Sequence, residues 1–204
     1  MTKQENKKEV IALFDFDGTV TTKDSLSAFL FFNFGVARCA LVGVVYAPVH
    51  LLYKLNLISS TTAKNFLLPF FLRNVTVSKF NSMRQAFCKN KLPKMIQAKA
   101  ITRIQWHQQK KHEIVIVSAS VCEWIKPWAE SFGVTKIIAS KLMIVNNKLT
   151  GRLAGKNCND EEKVVRIMSE IPGIDEYEVY AYGNSKSDRC MLSIADKPFY
   201  RKFE

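Results

Sequence analysis

A chain of 204 residues, 48% of them hydrophobic, can build one sizeable core with a smaller appended module, but not two full domains. Its five cysteines, Cys39, Cys88, Cys122, Cys158 and Cys190, are scattered without a CxxC pair, and His50, His107 and His112 lack ligand spacing, which argues against disulfides, thiolate centres and zinc. The formal charge of +12 suits an anionic partner, whether nucleic acid, lipid head groups or a phosphorylated small molecule; no nucleic-acid motif accompanies the basic residues, and no specific nucleic acid is expected.

Residues 1–9 are polar, with no apolar run behind a basic start. Neither a secretory signal nor a lipidation motif is read there, and the expected compartment is the cytoplasm. The short apolar run from Val10 to Phe14 stops at Asp15 and reads as a buried parallel strand. From about Thr22 to about Asn90 no comparable strand follows. That region is rich in Leu, Phe, Val and Ala, with apolar residues at helical spacing at Val77, Phe80, Met83 and Phe87, so a helical insertion is expected.

The first half of the insertion is unusually apolar: residues 25–37 and 39–53 carry no formal charge, and only Arg38 separates them. Each run is shorter than the roughly 20 residues of a spanning helix. A single span would also separate Asp15 from Ser118 across the bilayer. The expectation is a helix buried in a cap or lying on an anionic membrane surface.

Ile114 to Val117, ahead of Ser118, and Val179 to Tyr182, ahead of Gly183, predict two more parallel strands. Segments 121–132, closed by Gly133, and 160–170, with Asp160 as cap and Pro172-Gly173 as stop, predict helices. Lys136 to Ala139 reads as another strand, and Leu142 to Thr150 as a hairpin around Asn146-Asn147, expected to decorate the sheet edge. Alternating strands and helices indicate an α/β fold. Ligands of such sheets bind beyond the carboxyl ends of the strands, where the clusters at Asp15, Ser118 and Gly183 fall.

Asp15-Phe16-Asp17-Gly18-Thr19 places two carboxylates two residues apart in a turn that Gly18 permits. One can attack phosphorus while the other protonates the leaving oxygen and later deprotonates water. A divalent cation is then needed to offset repulsion between nucleophile and phosphate. Taken alone, Asp-x-Asp after a strand also reads as a solvated turn or a helix cap.

With Phe14-Asp15-Phe16-Asp17-Gly18-Thr19-Val20, the chain resembles the haloacid-dehalogenase superfamily, whose first motif is a hydrophobic strand followed by DxDGT. Ile116-Val117-Ser118-Ala119-Ser120 matches the second motif, Glu161-Glu162-Lys163-Val164 the third, and Tyr182-Gly183-Asn184-Ser185-Lys186-Ser187-Asp188 the fourth. The resemblance implies a Rossmann-like three-layer core with a parallel sheet, residues 1–21 and 91–204, and a helical cap inserted after the first motif, residues 22–90.

It further implies a phosphomonoester substrate, a phosphoaspartate on Asp15, acid and base work by Asp17, phosphate contacts from Ser118 and Lys163, and Mg2+ held by Asp15, Asp17, Asn184 and Asp188. Asn184 departs from the family, which commonly carries an acid there, and this reduces the charge on the metal. The presence of Asp17 points to phosphate-ester hydrolysis and away from carbon–halogen cleavage.

The insertion after the first motif resembles the phosphoserine-phosphatase-like branch, subfamily IB, in which an acid at the position of Asp24 helps bind substrate; Asp24 reads equally as a helix N-cap. The apolar, basic-edged cap is also similar to that of phosphatidylglycerophosphatase C, which implies a phospholipid phosphate. Phosphoserine or another small soluble ester is the alternative substrate. A catalytically weakened lipid- or nucleic-acid-binding module on the same fold is the alternative of another class.

Overall fold

The computed structural model describes residues 8–203; the segment ahead of Lys8, read above for targeting signals, lies outside the described residues. Strand β1 (Val10–Phe14) leads through an irregular helical turn, Phe16–Val20, into helices α1 (Ser25–Lys54), α2 (Ser60–Leu67), α3 (Pro69–Leu72) and α4 (Val77–Asn90). The chain continues through α5 (Ala98–Gln109), β2 (Glu113–Val121), α6 (Cys122–Ser131) and β3 (Lys136–Ser140), then turns through β4 (Leu142–Val145) and β5 (Lys148–Leu153). It closes with α7 (Glu161–Glu170), β6 (Glu178–Gly183), α8 (Arg189–Ser193) and β7 (Lys197–Tyr200).

The five-stranded sheet runs β3-β2-β1-β6-β7, and all its pairings are parallel. Successive side chains on a strand point to opposite faces, which splits β1 between two hydrophobic clusters. Ala12 and Phe14 join one, with Trp124 and Ala129 of α6 and Ala100 and Ile104 of α5; Ile11 and Leu13 join the other, with Ile167 of α7 and Met191 of α8. The fold is therefore α/β in three layers. Pro198 is tolerated in β7 because that strand forms the sheet edge.

The first cluster also contains Phe29 of α1, Leu68, Phe71 and Leu72 of the α2–α3 region, and Phe80 and Phe87 of α4. The Phe29 ring stacks on Trp124 at 4.6 Å and meets Phe87 edge-on at 5.4 Å. The helical insertion thus shares one apolar core with the sheet's helices. Helices α1, α2 and α4 begin at side-chain caps: Asp24 accepts from Ser27 N, Ser59 from Thr62 N and Thr76 from Lys79 N, each satisfying an otherwise unpaired amide.

Four local expectations change. The break in the apolar stretch falls at Gly35 (φ 79°, ψ 166°), a conformation open only to glycine, and Arg38 lies inside the second helical piece. Asp160 stands at the N-terminus of α7 with φ 48° but makes no side-chain cap; its carboxylate accepts from Asn159 Nδ2 instead.

Strand β2 continues past Ser118 to Val121, with its pairing to β3 slipping between Ser118 and Val121. The hairpin β4–β5 forms a separate two-stranded sheet. It is fastened to the insertion by Asn74 N to Leu149 O, Leu149 N to Val75 O and Leu153 N to Asn65 Oδ1. Burial of Leu149 and Leu153 in the shared cluster explains why it packs there instead of extending β3. Gly151 (φ 76°) allows this approach, since a Cβ there would lie 2.6 Å from Pro69 Cα.

Candidate active site

The carboxyl ends of β1, β2 and β6 bring the sequence-predicted residues together. Asp15 directly follows β1 and is 5% exposed; its amide donates to Tyr182 O at 2.9 Å, which fixes the carboxylate against the end of β6. Lys163, fully buried on the first turn of α7, donates to Asp15 Oδ1 at 2.7 Å, Asp188 Oδ1 at 2.6 Å and Val117 O at 3.1 Å. Burial acts to lower the Lys163 pKa, but the two carboxylates outweigh it and hold the ammonium above the ordinary lysine value. Burial raises Asp15 against the opposing pull of that ammonium.

Asp188 is the acceptor at the centre of the β6–α8 loop. Its Oδ2 receives Asn184 N at 3.0 Å, Ser185 N at 2.8 Å and Ser185 Oγ at 2.8 Å. Burial would raise its pKa, yet Lys163 and the Ser185 donors win and hold it below the usual aspartate range. Asp188 thus meets the lysine through Oδ1 and the loop through Oδ2.

Asp17 points the other way, toward the insertion. Its Oδ1 accepts from Ser25 N at 2.8 Å, and its Oδ2 accepts a short hydrogen bond from Ser120 Oγ. Ser120 Oγ in turn accepts from Ser25 Oγ at 2.9 Å, and Ser25 Oγ accepts from Trp124 Nε1 at 3.2 Å. Burial, and secondarily the Asp24 charge, raise the Asp17 pKa to about 7, so the carboxyl is poised to give and take a proton near neutrality.

Ser118 is fully buried, and its Oγ accepts from Ser120 N at 2.9 Å. Asp24 is an exposed cap of α1 with Oδ1 taken by Ser27 N. Its charge still reaches Asp17.

Two oxygen donors converge at the metal position expected from the sequence. Thr19 Oγ1 donates to Asp15 Oδ2 at 3.0 Å and lies 3.3 Å from Asn184 Oδ1, which brings a carboxylate oxygen and an amide oxygen round one hydroxyl. These hard donors fit magnesium. Among the described residues no group of three or more His, Cys, Asp or Glu could hold a metal, so acidic side chains alone would not complete a cation's shell here. Gly18 (φ 82°) is required as well, because a Cβ would sit 2.1 Å from Asn184 Nδ2.

Lys64 is a site residue without a sequence signal. It rises from α2, and its Nζ donates to Ala119 O at 2.7 Å and Asn157 Oδ1 at 2.8 Å. Burial pulls its pKa below the lysine norm, against Asp17 and Asp24. Asn157 also accepts from Ser140 Oγ and donates to Ser60 Oγ, so a polar chain ties the insertion to the loop before α7. Spacing along the sequence marks neither Lys64 nor Ser120, because both act through contacts between distant segments.

Family and relatives agree with this geometry. The haloacid dehalogenase-like hydrolase family matches residues 12–193. The chain is 31% identical over 210 residues to protein CicA of Caulobacter vibrioides, covering 100% of this chain and 90% of that protein. It is 24% identical over 192 residues to the inhibition of morphological differentiation protein of Streptomyces azureus, covering 92% and 69%.

A crystal structure of a protein of unknown function from Bordetella pertussis Tohama I superposes with TM-score 0.80 at 22% identity, over 92% of this chain and 87% of that one. A phospho-aspartyl intermediate analogue of phosphoserine phosphatase superposes with TM-score 0.66 at 19% identity, over 93% and 84%. These two structures share the fold of this chain.

Proposed function

The chain belongs to the haloacid dehalogenase-like hydrolase family, and from that premise we propose that it is a magnesium-dependent phosphomonoester hydrolase working through a phosphoaspartate on Asp15. The observation that carries this reading is the buried Lys163 ammonium joining Asp15 to Asp188, with the proton-exchanging carboxyl of Asp17 held apart from them by Ser25 and Ser120. Nucleophile and acid thus have separate supports.

In the first step an Asp15 oxygen forms a bond to phosphorus as the bond to the leaving oxygen breaks, and Asp17 gives that oxygen its proton. In the second step Asp17 takes a proton from water, which attacks the acyl phosphate, releases inorganic phosphate and restores the Asp15 carboxylate. Lys163 keeps Asp15 oriented and offsets negative charge throughout. Ser118 donates to a phosphoryl oxygen. Asp15, the Asp17 carbonyl and Asn184 would hold magnesium, which supplies charge neutralisation at the phosphate, while Asp188 positions Lys163.

The residues around Asp24 bear on the substrate. Phe31, Phe32, Ala28 and Met95 line a cleft of about 530 Å³ together with Lys23, Lys91, Lys94 and Asp24. Apolar walls with a basic rim favour a phosphate carried by a lipid, such as phosphatidylglycerophosphate, over phosphoserine, whose amino and carboxylate groups need polar contacts. Asp24 keeps Oδ2 for a substrate group.

The test is hydrolysis of p-nitrophenyl phosphate with and without magnesium by the wild type and Asp15→Asn, followed by a panel of phosphoserine, sugar phosphates and detergent-dispersed lipid phosphates. A loss of about 10³-fold or more is expected in the variant. Full turnover by Asp15→Asn would end the mechanism, and hydrolysis confined to water-soluble esters would end the lipid reading.

A further inference from the structure

Beyond Gly35, α1 lacks the burial its composition calls for. An 18-residue window of this helix has a mean hydropathy of 1.9 yet is only 17% buried. A stripe at Cys39, Val42, Tyr46, Val49 and Tyr53 turns inward, where Tyr46 stacks near Phe66. The remaining sides face solvent: Val36 is 72% exposed, Leu41 71%, Val44 75% and Leu51 59%, followed by Leu55 and Leu57. A helix apolar on every side belongs in a core or in a lipid phase.

Charge selects the occupant. Between Ser25 and His112 there are thirteen Lys and Arg residues and no Asp or Glu; against the whole-chain excess of +12, the rest of the molecule sums to −1. The basic excess that looks spread along the sequence therefore belongs to one continuous segment, the one carrying the exposed apolar helix. Arg38, Arg73 and Lys79 line a cleft near its beginning, and Lys54 closes its end. A second copy would set like charge against like charge, whereas an anionic lipid surface complements both the cations and the apolar side chains.

Connectivity selects the orientation. At the start of this helical piece Arg38 Nη2 donates to Phe70 O at 2.6 Å. Soon after its end Ser60 Oγ donates to Asn159 Oδ1 at 2.8 Å, beside the polar chain that holds Lys64. Both ends are thus fastened to the body of the protein. Residues 36–54, about 28 Å of helix, cannot cross a bilayer without breaking these contacts.

We propose that residues 36–57 lie in the plane of an anionic lipid surface, with Val36, Leu41, Val44, Leu51, Leu55 and Leu57 immersed in its interfacial layer. The docking itself does not require turnover, while its value in presenting lipid-borne phosphate to Asp15 rests on the function proposed above.

The experiment is co-sedimentation of the full chain, as wild type and as Asp15→Asn, with vesicles of phosphatidylglycerol and phosphatidylcholine or of phosphatidylcholine alone. Both proteins should pellet with the anionic vesicles and keep part of that binding in high salt. The variant Leu41→Ser/Val44→Ser/Leu51→Ser should partition at least about tenfold less and hydrolyse p-nitrophenyl phosphate as the wild type does.

Wild-type protein left in the supernatant, equal partition of the triple variant, complete release by salt, or a vesicle-independent dimer in light scattering would overturn the proposal. Vesicle binding without hydrolysis would instead fault the catalytic reading, and hydrolysis of detergent-dispersed lipid phosphate without vesicle binding would fault only the docking.

Discussion

The carboxyl end of the sheet and the outer side of α1 satisfy opposite conditions. Around Asp15 the charged atoms are buried and mutually paired, with Lys163 shared between two carboxylates; on the outer side of residues 36–54 apolar side chains such as Val36, Leu41, Val44 and Leu51 stand uncovered. A buried charge is tolerable only with partners, and removing one leaves the others exposed to a low dielectric. An exposed leucine that touches little contributes little to folding. The difference teaches that the first region is committed to the chain's own stability and chemistry, while the second is left over for something outside it.

Changes at the two places should therefore differ in size and kind. Lys163→Met strands Asp15 and Asp188, and is expected to lower stability by about 3–5 kcal/mol, read from the urea midpoint, with loss of turnover. Ser120→Ala removes the buried hydroxyl that donates to Asp17 and accepts from Ser25 and should reduce kcat by roughly 10- to 100-fold with KM little changed and stability lowered by about 1–3 kcal/mol. An unchanged kcat would separate Ser120 from the acid.

Acid tests the core without mutation. His107 is buried between Tyr182 Oη, 2.9 Å from Nε2, and His112 Nδ1, 2.8 Å from Nδ1, and burial lowers its pKa from 6.5 to about 3. Below pH 6.5 the unfolded chain takes up a proton that the folded chain refuses. Its contribution to stability is complete above that pH and declines as pH falls toward 3, by at most about 1.4 kcal/mol per unit. Urea midpoints at pH 7 and pH 5 check this, and His107→Gln should flatten the slope.

The smallest effect belongs to the other region. Leu41→Ser should change stability by no more than about 0.5 kcal/mol, although it removes a leucine from the longest helix. A loss of several times that amount would show that the outer side of α1 is already packed.

The strands were legible because buried parallel strands are continuous apolar runs, and the site because Asp15, Lys163 and Asp188 each lie in a motif that fixes their place at a strand end or helix start. Contacts between distant segments left no local trace. Lys64 looks like any lysine of a polar helix start, and its burial depends on Asn157, 93 positions away. The hairpin β4–β5 has the alternation of a strand pair, but the backbone at residues 74–77 and the cluster that buries Leu149 and Leu153, both distant in sequence, decide where it docks. Helix α5 and strand β7 carry no comparable pattern: α5 mixes polar and apolar residues, and β7 is four residues containing a proline. A glycine within the apolar stretch did not mark the break by itself, since Gly35 interrupts α1 and Gly43 does not.

The amide of Ser25 does double duty: it opens the first turn of α1 and holds the acid at Asp17. Any swing of the insertion wide enough to admit a substrate carries that amide with it, and a displacement of about 1 Å breaks the contact. Under the mechanism proposed above, admission of the ester and release of the proton donor would then be one mechanical event, with Asp17 fully aligned only while Ser25 is in place.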